Sequence, residues 1–135
     1  MSDATDYLET SIRDWFSQGT AMPSAPGTLY VALHTSDPGE SPDGSTEVSA
    51  GDYSRVSVTT GSGFSTSLNP TEFSNANEIS FGTATNDWGT VTHVSLWDAS
   101  TGGNCLAAYA LGTSKAINTD DEATFPSGDL TVTIS

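Results

Sequence analysis

Basic residues are nearly missing from this chain. Only Arg13, Arg55 and Lys115 stand against 17 acidic residues, so the formal net charge is −14 and the pI is near 4.1. With no basic stripe to meet phosphates, nucleic-acid binding is excluded as a function class. Attraction to an anionic membrane surface fails on the same ground. Cysteine is almost as scarce: Cys105 stands alone, which leaves no intrachain disulfide and no cysteine-based zinc site. It lies in the apolar run Cys105-Leu106-Ala107-Ala108-Tyr109-Ala110-Leu111 and reads as a small buried hydrophobe, not a nucleophile. No apolar run approaches the roughly 18–20 residues that span a bilayer, so membrane insertion is not expected. The opening Met1-Ser2-Asp3-Ala4-Thr5-Asp6 is acidic and lacks the basic start of a signal peptide, which predicts synthesis in a cytoplasm.

The excess of acid admits three readings. A Lys-poor, acid-rich surface stays soluble in high salt, where screening removes the self-repulsion of the charge, as in a halophile. The same surface avoids sticking to polyanions. Or the carboxylates hold cations.

What is present is mostly β-forming. Hydrophobic residues make up 35% of 135 residues, enough for one modest core in one domain. Thr suits strands and Ser suits turns. In Leu29-Tyr30-Val31-Ala32-Leu33-His34, the residues Leu29, Val31 and Leu33 share one face and Tyr30, Ala32 and His34 the other. The strand runs into an acidic turn, Asp37-Pro38-Gly39-Glu40. Further strands are expected at 53–60, 78–82, 90–98, 105–112, 114–117, 121–125 and 129–134, with 36–52 and 61–77 as loops. Thr92, Val94 and Leu96 should face inward, with His93, Ser95 and Trp97 on the opposite face. Ala99-Ser100-Thr101-Gly102-Gly103-Asn104 is turn chemistry and predicts a hairpin between 90–98 and 105–112. The fold class that follows is all-β: an antiparallel β-sandwich of about seven or more short strands with one short N-terminal α-helix.

That helix is expected over residues 6–18, where Tyr7, Leu8, Ile12, Trp15 and Phe16 recur at helical spacing. Asp6 with Glu9 resembles a capping box, and Gly19 suits the position just past the end. So short a helix is marginal alone in water. Its large apolar stripe must therefore pack on the β-domain or on a neighbouring subunit. Two prolines, Pro23 and Pro26, make 20–27 a linker. The chain thus divides into 1–27, helix and Pro-containing linker, and 28–135, the sandwich.

Catalytic chemistry finds little support. His34 and His93 are the only histidines, each in a strand with apolar or aromatic neighbours, and both read as structural. No nucleophile elbow, P-loop, dinucleotide fingerprint or H-E-x-x-H is present, so the chain is expected to be no enzyme and to need no cofactor. Asp37, Glu40 and Asp43 offer oxygen ligands suited to calcium but match no defined loop, and a solvated acidic loop is the simpler reading. Asn86-Asp87-Trp88-Gly89 and Ser95-Leu96-Trp97-Asp98 place two tryptophans among polar residues. Core packing suits at least one. Exposed, Trp88 and Trp97 would be candidates for surface recognition.

Taken in order, several of these pieces resemble a family of tailed bacteriophages and archaeal tailed viruses, catalogued as tail-fibre-like or minor virion structural proteins. They are the short N-terminal helix, Leu29-Tyr30-Val31-Ala32-Leu33-His34-Thr35 with Ser36-Asp37-Pro38-Gly39-Glu40, and Glu47-Val48-Ser49-Ala50-Gly51-Asp52-Tyr53-Ser54-Arg55. Asp87-Trp88-Gly89-Thr90-Val91-Thr92-His93-Val94-Ser95-Leu96-Trp97-Asp98-Ala99 and Phe125-Pro126-Ser127-Gly128-Asp129-Leu130-Thr131-Val132 complete the set. The resemblance implies a virion component and not an enzyme: a head decoration, a turret base, or a fibre or baseplate element. A halophilic host would suit the low Lys content.

Two functional hypotheses follow. In the first, the sandwich assembles as a homo-oligomer with other virion proteins on the particle exterior, through strand edges and the stripe Tyr7, Leu8, Ile12, Trp15 and Phe16. In the second, the domain recognises a host-surface glycan through Trp88, Trp97 or the acidic loop.

Overall fold

Alternating apolar and polar residues become sheet in separate stretches between Thr28 and Thr133. The computed structural model describes residues 3–134; Met1, Ser2 and Ser135, the ends of the two expected segments, lie outside the described residues. One helix, α1 (Asp6–Ser17), precedes nine strands: β1 (Thr28–His34), β2 (Val56–Thr59), β3 (Phe64–Thr66), β4 (Glu72–Asn75), β5 (Ile79–Thr83), β6 (Gly89–Trp97), β7 (Cys105–Ile117), β8 (Glu122–Phe125) and β9 (Thr131–Thr133). Every strand pair is antiparallel. The strands form a four-stranded sheet in the order β2-β1-β6-β7, a three-stranded sheet β3-β4-β9 and a two-stranded sheet β5-β8. The all-β, sandwich-like architecture is the one the alternation calls for.

The main core lies between these sheets. Leu29, Val31 and Leu33 of β1 meet Val91, Val94 and Leu96 of β6, with Ile79, Ala123, Leu130 and Val132 closing from the smaller sheets. Tyr53, Phe81, Trp88 and Phe125 add a chain of edge-on and stacked rings with centroids 5.4–6.5 Å apart, a favourable geometry for ring quadrupoles. The opposite face of the four-stranded sheet is also dry near its centre. Ala32, Trp97 and Cys105 form a second cluster there, flanked by Tyr30 and Ala108. Cys105 is thus the buried small residue expected.

The sequence reading departs from the structure in three places. Residues 61–77, expected to be loop, contain β3 and β4, whose pairing buries Asn75 and brings Phe64 edge-on to Phe73. Their pattern is polar because only one face meets the core. The strands expected at 105–112 and 114–117 are one long strand, β7, that carries a bulge. Val91 pairs with Lys115 and His93 with Ala110, so Thr92 faces the four residues Leu111, Gly112, Thr113 and Ser114. The expected faces of β6 hold from Val94 to Trp97, with Val94 and Leu96 in the main core and Trp97 in a second cluster on the other face, but Val91 and not Thr92 is the buried core residue beside the bulge.

The expected hairpin forms, with Trp97 opposite Cys105. Its turn depends on Gly103, where φ is +76° and a Cβ would stand 2.5 Å from Asp98 Oδ1 and 2.6 Å from the Ala99 Cβ.

Candidate assembly interface

The helix begins where the N-terminal segment leaves the edge of β7. Ala4 bridges Ala107, Thr5 N–H donates to Leu106 O, and Ala108 N–H donates to Asp3 O. Thr5 is the N-cap, and its hydroxyl donates to the Cys105 carbonyl rather than to the helix. The capping box read from Asp6 and Glu9 therefore does not form. Asp6 lies inside the first turn and accepts from the Ser41 hydroxyl at 2.6 Å. At the other end, Gly19 takes φ +69°, as a residue just past a helix should.

The apolar stripe divides along the helix. Tyr7 and Leu8 are half-buried beside their own domain. Ile12, Trp15 and Phe16 are 37%, 56% and 72% exposed. The only other large hydrophobics so exposed among the described residues are Met22 in the linker, Leu68 on the β3–β4 turn and Ile134. The far half of α1 with its linker is therefore an apolar arm with no cover in this chain.

Neither tryptophan offers a ring to solvent, which corrects the reading of Trp88 and Trp97 as surface-recognition residues. Trp88 is 5% exposed and donates from Nε1 to Asp52 Oδ1 at 2.9 Å. Trp97 is 1% exposed, donates to Ser95 Oγ at 2.7 Å and lies 4.1 Å beneath the Arg55 guanidinium. The polar neighbours that suggested a surface are hydrogen-bond partners for buried indoles. Asp52 accepts from Thr85 N–H, Asn86 Nδ2 and Trp88 Nε1 together, and these donors, the Thr85 amide first, hold its carboxyl far below the usual range.

A buried polar knot over Trp97 was not anticipated from the sequence. Arg55 pairs with Glu47 at 2.9 Å, the two side chains being 5% and 14% exposed. The guanidinium also donates to the carbonyls of Ala99 and Gly102. Tyr53 donates its hydroxyl to Glu47 Oε2 and accepts from Leu33 N–H. The knot ties the 36–52 loop to the 99–104 turn. The scarcity of arginine was the available signal: a chain with two places its Arg55 where a forked donor is needed.

His34 is fully enclosed. Its Nδ1 meets Thr46 Oγ1 at 2.8 Å and its Nε2 meets Ser95 Oγ at 2.6 Å. Burial pushes its pKa down to about 4. This is a packed structural histidine. On the neighbouring strand His93 pairs with it in register and holds Nε2 3.8 Å from Asp37 Oδ1.

The acidic-loop residues do not converge. Asp37 accepts from Gly39 N–H and Asp43 from Ser45 N–H, each bracing its own turn. Glu40 instead meets the start of α1, where Asp6, Glu9 and Glu40 bring carboxylate oxygens within 4.8 Å of one another, all exposed.

The second surface feature is a groove of about 560 Å³ beside the bulged half of β7, lined by Tyr109, Leu111, Lys115, Phe125, Pro126 and Asp129 among others. Along that stretch β7 pairs with β6 on one side, and the N-terminal segment covers its other edge only at 106–108.

A family model described as podophage GP4 fiber I protein gp80 matches residues 3–133. No curated protein matches the chain. The matched description is of a phage and lends no support to the archaeal or halophilic host.

Proposed function

The chain belongs to the podophage GP4 fiber I protein gp80 family, and from that premise we propose that it is a non-enzymatic structural component of the exterior of a tailed phage particle. The observation that carries this reading is a match running through nearly the whole chain, helix and sandwich alike. Within the particle, a fibre or baseplate element agrees with the family description better than a head decoration or turret. The protein works by burial: it joins copies of itself and other virion proteins through apolar surface that the monomer leaves open. Exposed Ile12, Trp15 and Phe16 support such an interface. The half-buried Tyr7 and Leu8 anchor the root of the arm.

Mass spectrometry of purified virions, with a cryo-electron-microscopy map, tests the reading. The chain should be present in stoichiometric amount on the outside of the tail. Its absence from intact particles would refute the proposal. The alternative of host-glycan binding loses the two rings named for it, since Trp88 and Trp97 are buried, and keeps only the acidic loop.

A further inference from the structure

The N-terminal segment fills a slot between two sheets. On one side Thr5 N–H donates to Leu106 O of β7, and Ala108 N–H donates to Asp3 O. On the other side Asp3 N–H donates to Thr133 O of β9, and Thr133 N–H donates to the Asp3 carboxylate. Ala4 and Thr5 are 5% and 2% exposed, and the Thr5 hydroxyl donates to the Cys105 carbonyl. Residues 3–5 thus act as a short strand that joins the four-stranded sheet to the three-stranded one. Emptied, the slot would offer two strand edges of unpaired N–H and C=O groups. What fills it is known: Asp3-Ala4-Thr5 of this sequence.

Beyond the slot the segment holds its own sandwich lightly. Asp6 N–H donates to Glu40 O and the Ser41 hydroxyl to the Asp6 carboxylate, but no residue of α1 is buried. Residues 15–25 are all exposed, and among the described residues 18–25 hydrogen-bond only to Asp14 O of the helix. The chain rejoins the sandwich at Pro26 and Gly27, whose carbonyls accept from Thr60. Residues 18–27 can reach up to about 35 Å, and Pro23 and Pro26 favour an extended spacer. A neighbour's segment placed in the slot would make every bond that the chain's own segment makes. The two arrangements then differ chiefly through the tether, which supplies an effective concentration of the order of millimolar. Copies packed side by side compete on those terms, and exchange of an identical element is a low-cost route to assembly.

We propose that residues 3–17 are exchanged between copies on assembly: the Asp3–Thr5 strand of one copy fills the β7–β9 slot of a second copy, carrying α1 across with it. This inference rests on the homo-oligomeric reading above and names how the copies are joined.

Cysteine variants of the full chain test it, in a Cys105→Ala background. The bonds between the two strands fall on either side of Ala4 and Ala107, at Thr5–Leu106 and Asp3–Ala108. That pattern sets the Cα atoms of such a pair about 4.5 Å apart, within reach of a disulfide. In Ala4→Cys/Ala107→Cys, oxidation at micromolar concentration should close the bond within one chain and lock the segment in its own slot, with far-ultraviolet circular dichroism to check folding. Sedimentation equilibrium should then show association at least tenfold weaker than for the same protein reduced, and dithiothreitol should restore it. An equimolar mixture of Ala4→Cys and Ala107→Cys chains, refolded together from urea at millimolar concentration and oxidised, should yield a disulfide-linked heterodimer. If locked and reduced chains associate equally, or if the mixture yields no heterodimer, this inference falls, while the oligomeric reading stands on the association itself. If the reduced chain stays monomeric up to millimolar concentration, both fall.

Discussion

His34 makes the stability of this domain depend on pH. The unfolded chain protonates the imidazole near 6.5, whereas the buried ring holds out to about 4. Between those values the unfolded state binds the extra proton, so stability is full above pH 6.5 and falls as the pH drops toward 4. At pH 5 the loss from this one residue is about 2 kcal/mol, from RT ln of the ratio of the two binding polynomials. Complete titration below pH 4 would cost about 3 kcal/mol, a large part of a marginal total of roughly 5–15 kcal/mol. The cause is local. Burial of the ring is the main cause and outweighs the opposing charge of nearby Glu47, and protonation would make both ring nitrogens donors although Ser95 Oγ already accepts from Trp97 Nε1. Urea unfolding at pH 8 and pH 5 reads the effect, and His34→Gln supplies the reference because it removes the proton site. The native chain should lose about 2 kcal/mol more than the variant over that interval, a shift of about 1–2 M in midpoint at ordinary m-values. The difference between the two slopes is the quantity that matters, since relief of carboxylate repulsion on acidification acts on both alike. Equal slopes, or an NMR titration placing His34 near 6.5, would refute the reasoning.

Three further outcomes are expected. Arg55→Met should destabilise by about 3 kcal/mol or more, because Glu47 is left as a buried, uncompensated charge; a Tm within a degree or two of the native value would contradict this. Gly103→Ala should cost about 1–3 kcal/mol through its positive φ and the crowded Cβ, while Gly112→Ala, with open space and ordinary φ, should be nearly neutral by thermal unfolding. Asp52→Ala strips the acceptor from the Trp88 indole and should shift tryptophan emission to the red as water enters; an unchanged spectrum would show that Asp52 is dispensable.

The legible parts of the fold were those governed by a single period. β1, β6 and the β6–β7 hairpin show clean alternation or turn chemistry, and their places in the sheet follow from it. β3 and β4 were hidden because Phe64 and Phe73 are spaced among Ser, Thr and Asn, which read as loop until a partner strand supplies the pairing. The bulge in β7 was hidden for a related reason: Gly112, Thr113 and Ser114 look like a break, yet the ladder resumes beyond them. For the site, periodicity located the helix stripe but not its division into a rooted half and a free half, which depends on where Ala4 meets Ala107 across the chain. The tryptophans misled because a buried indole needs a polar partner, so polar neighbours in sequence cannot separate a surface ring from a satisfied core ring.

Exposed apolar surface is concentrated at one end of the chain. Both faces of the four-stranded sheet are closed within the chain: one by the smaller sheets, the other by Trp97, Cys105 and the Arg55 guanidinium. Polar groups that such closure buries are answered internally, since no buried side-chain nitrogen or oxygen among the described residues lacks a partner. Of the six large exposed hydrophobics among the described residues, four (Ile12, Trp15, Phe16 and Met22) lie on the helix and linker before β1. A chain that can bury two tryptophans and an arginine had the means to bury these as well. If the proposed interface is right, an arm rooted at a sheet edge separates folding in the sandwich from association in the arm. Lesions in the Arg55 knot should then lower Tm without changing the association constant of the folded fraction, and lesions at Phe16 should do the reverse. Loss of both properties together from either class of variant would mean that folding and assembly are one process.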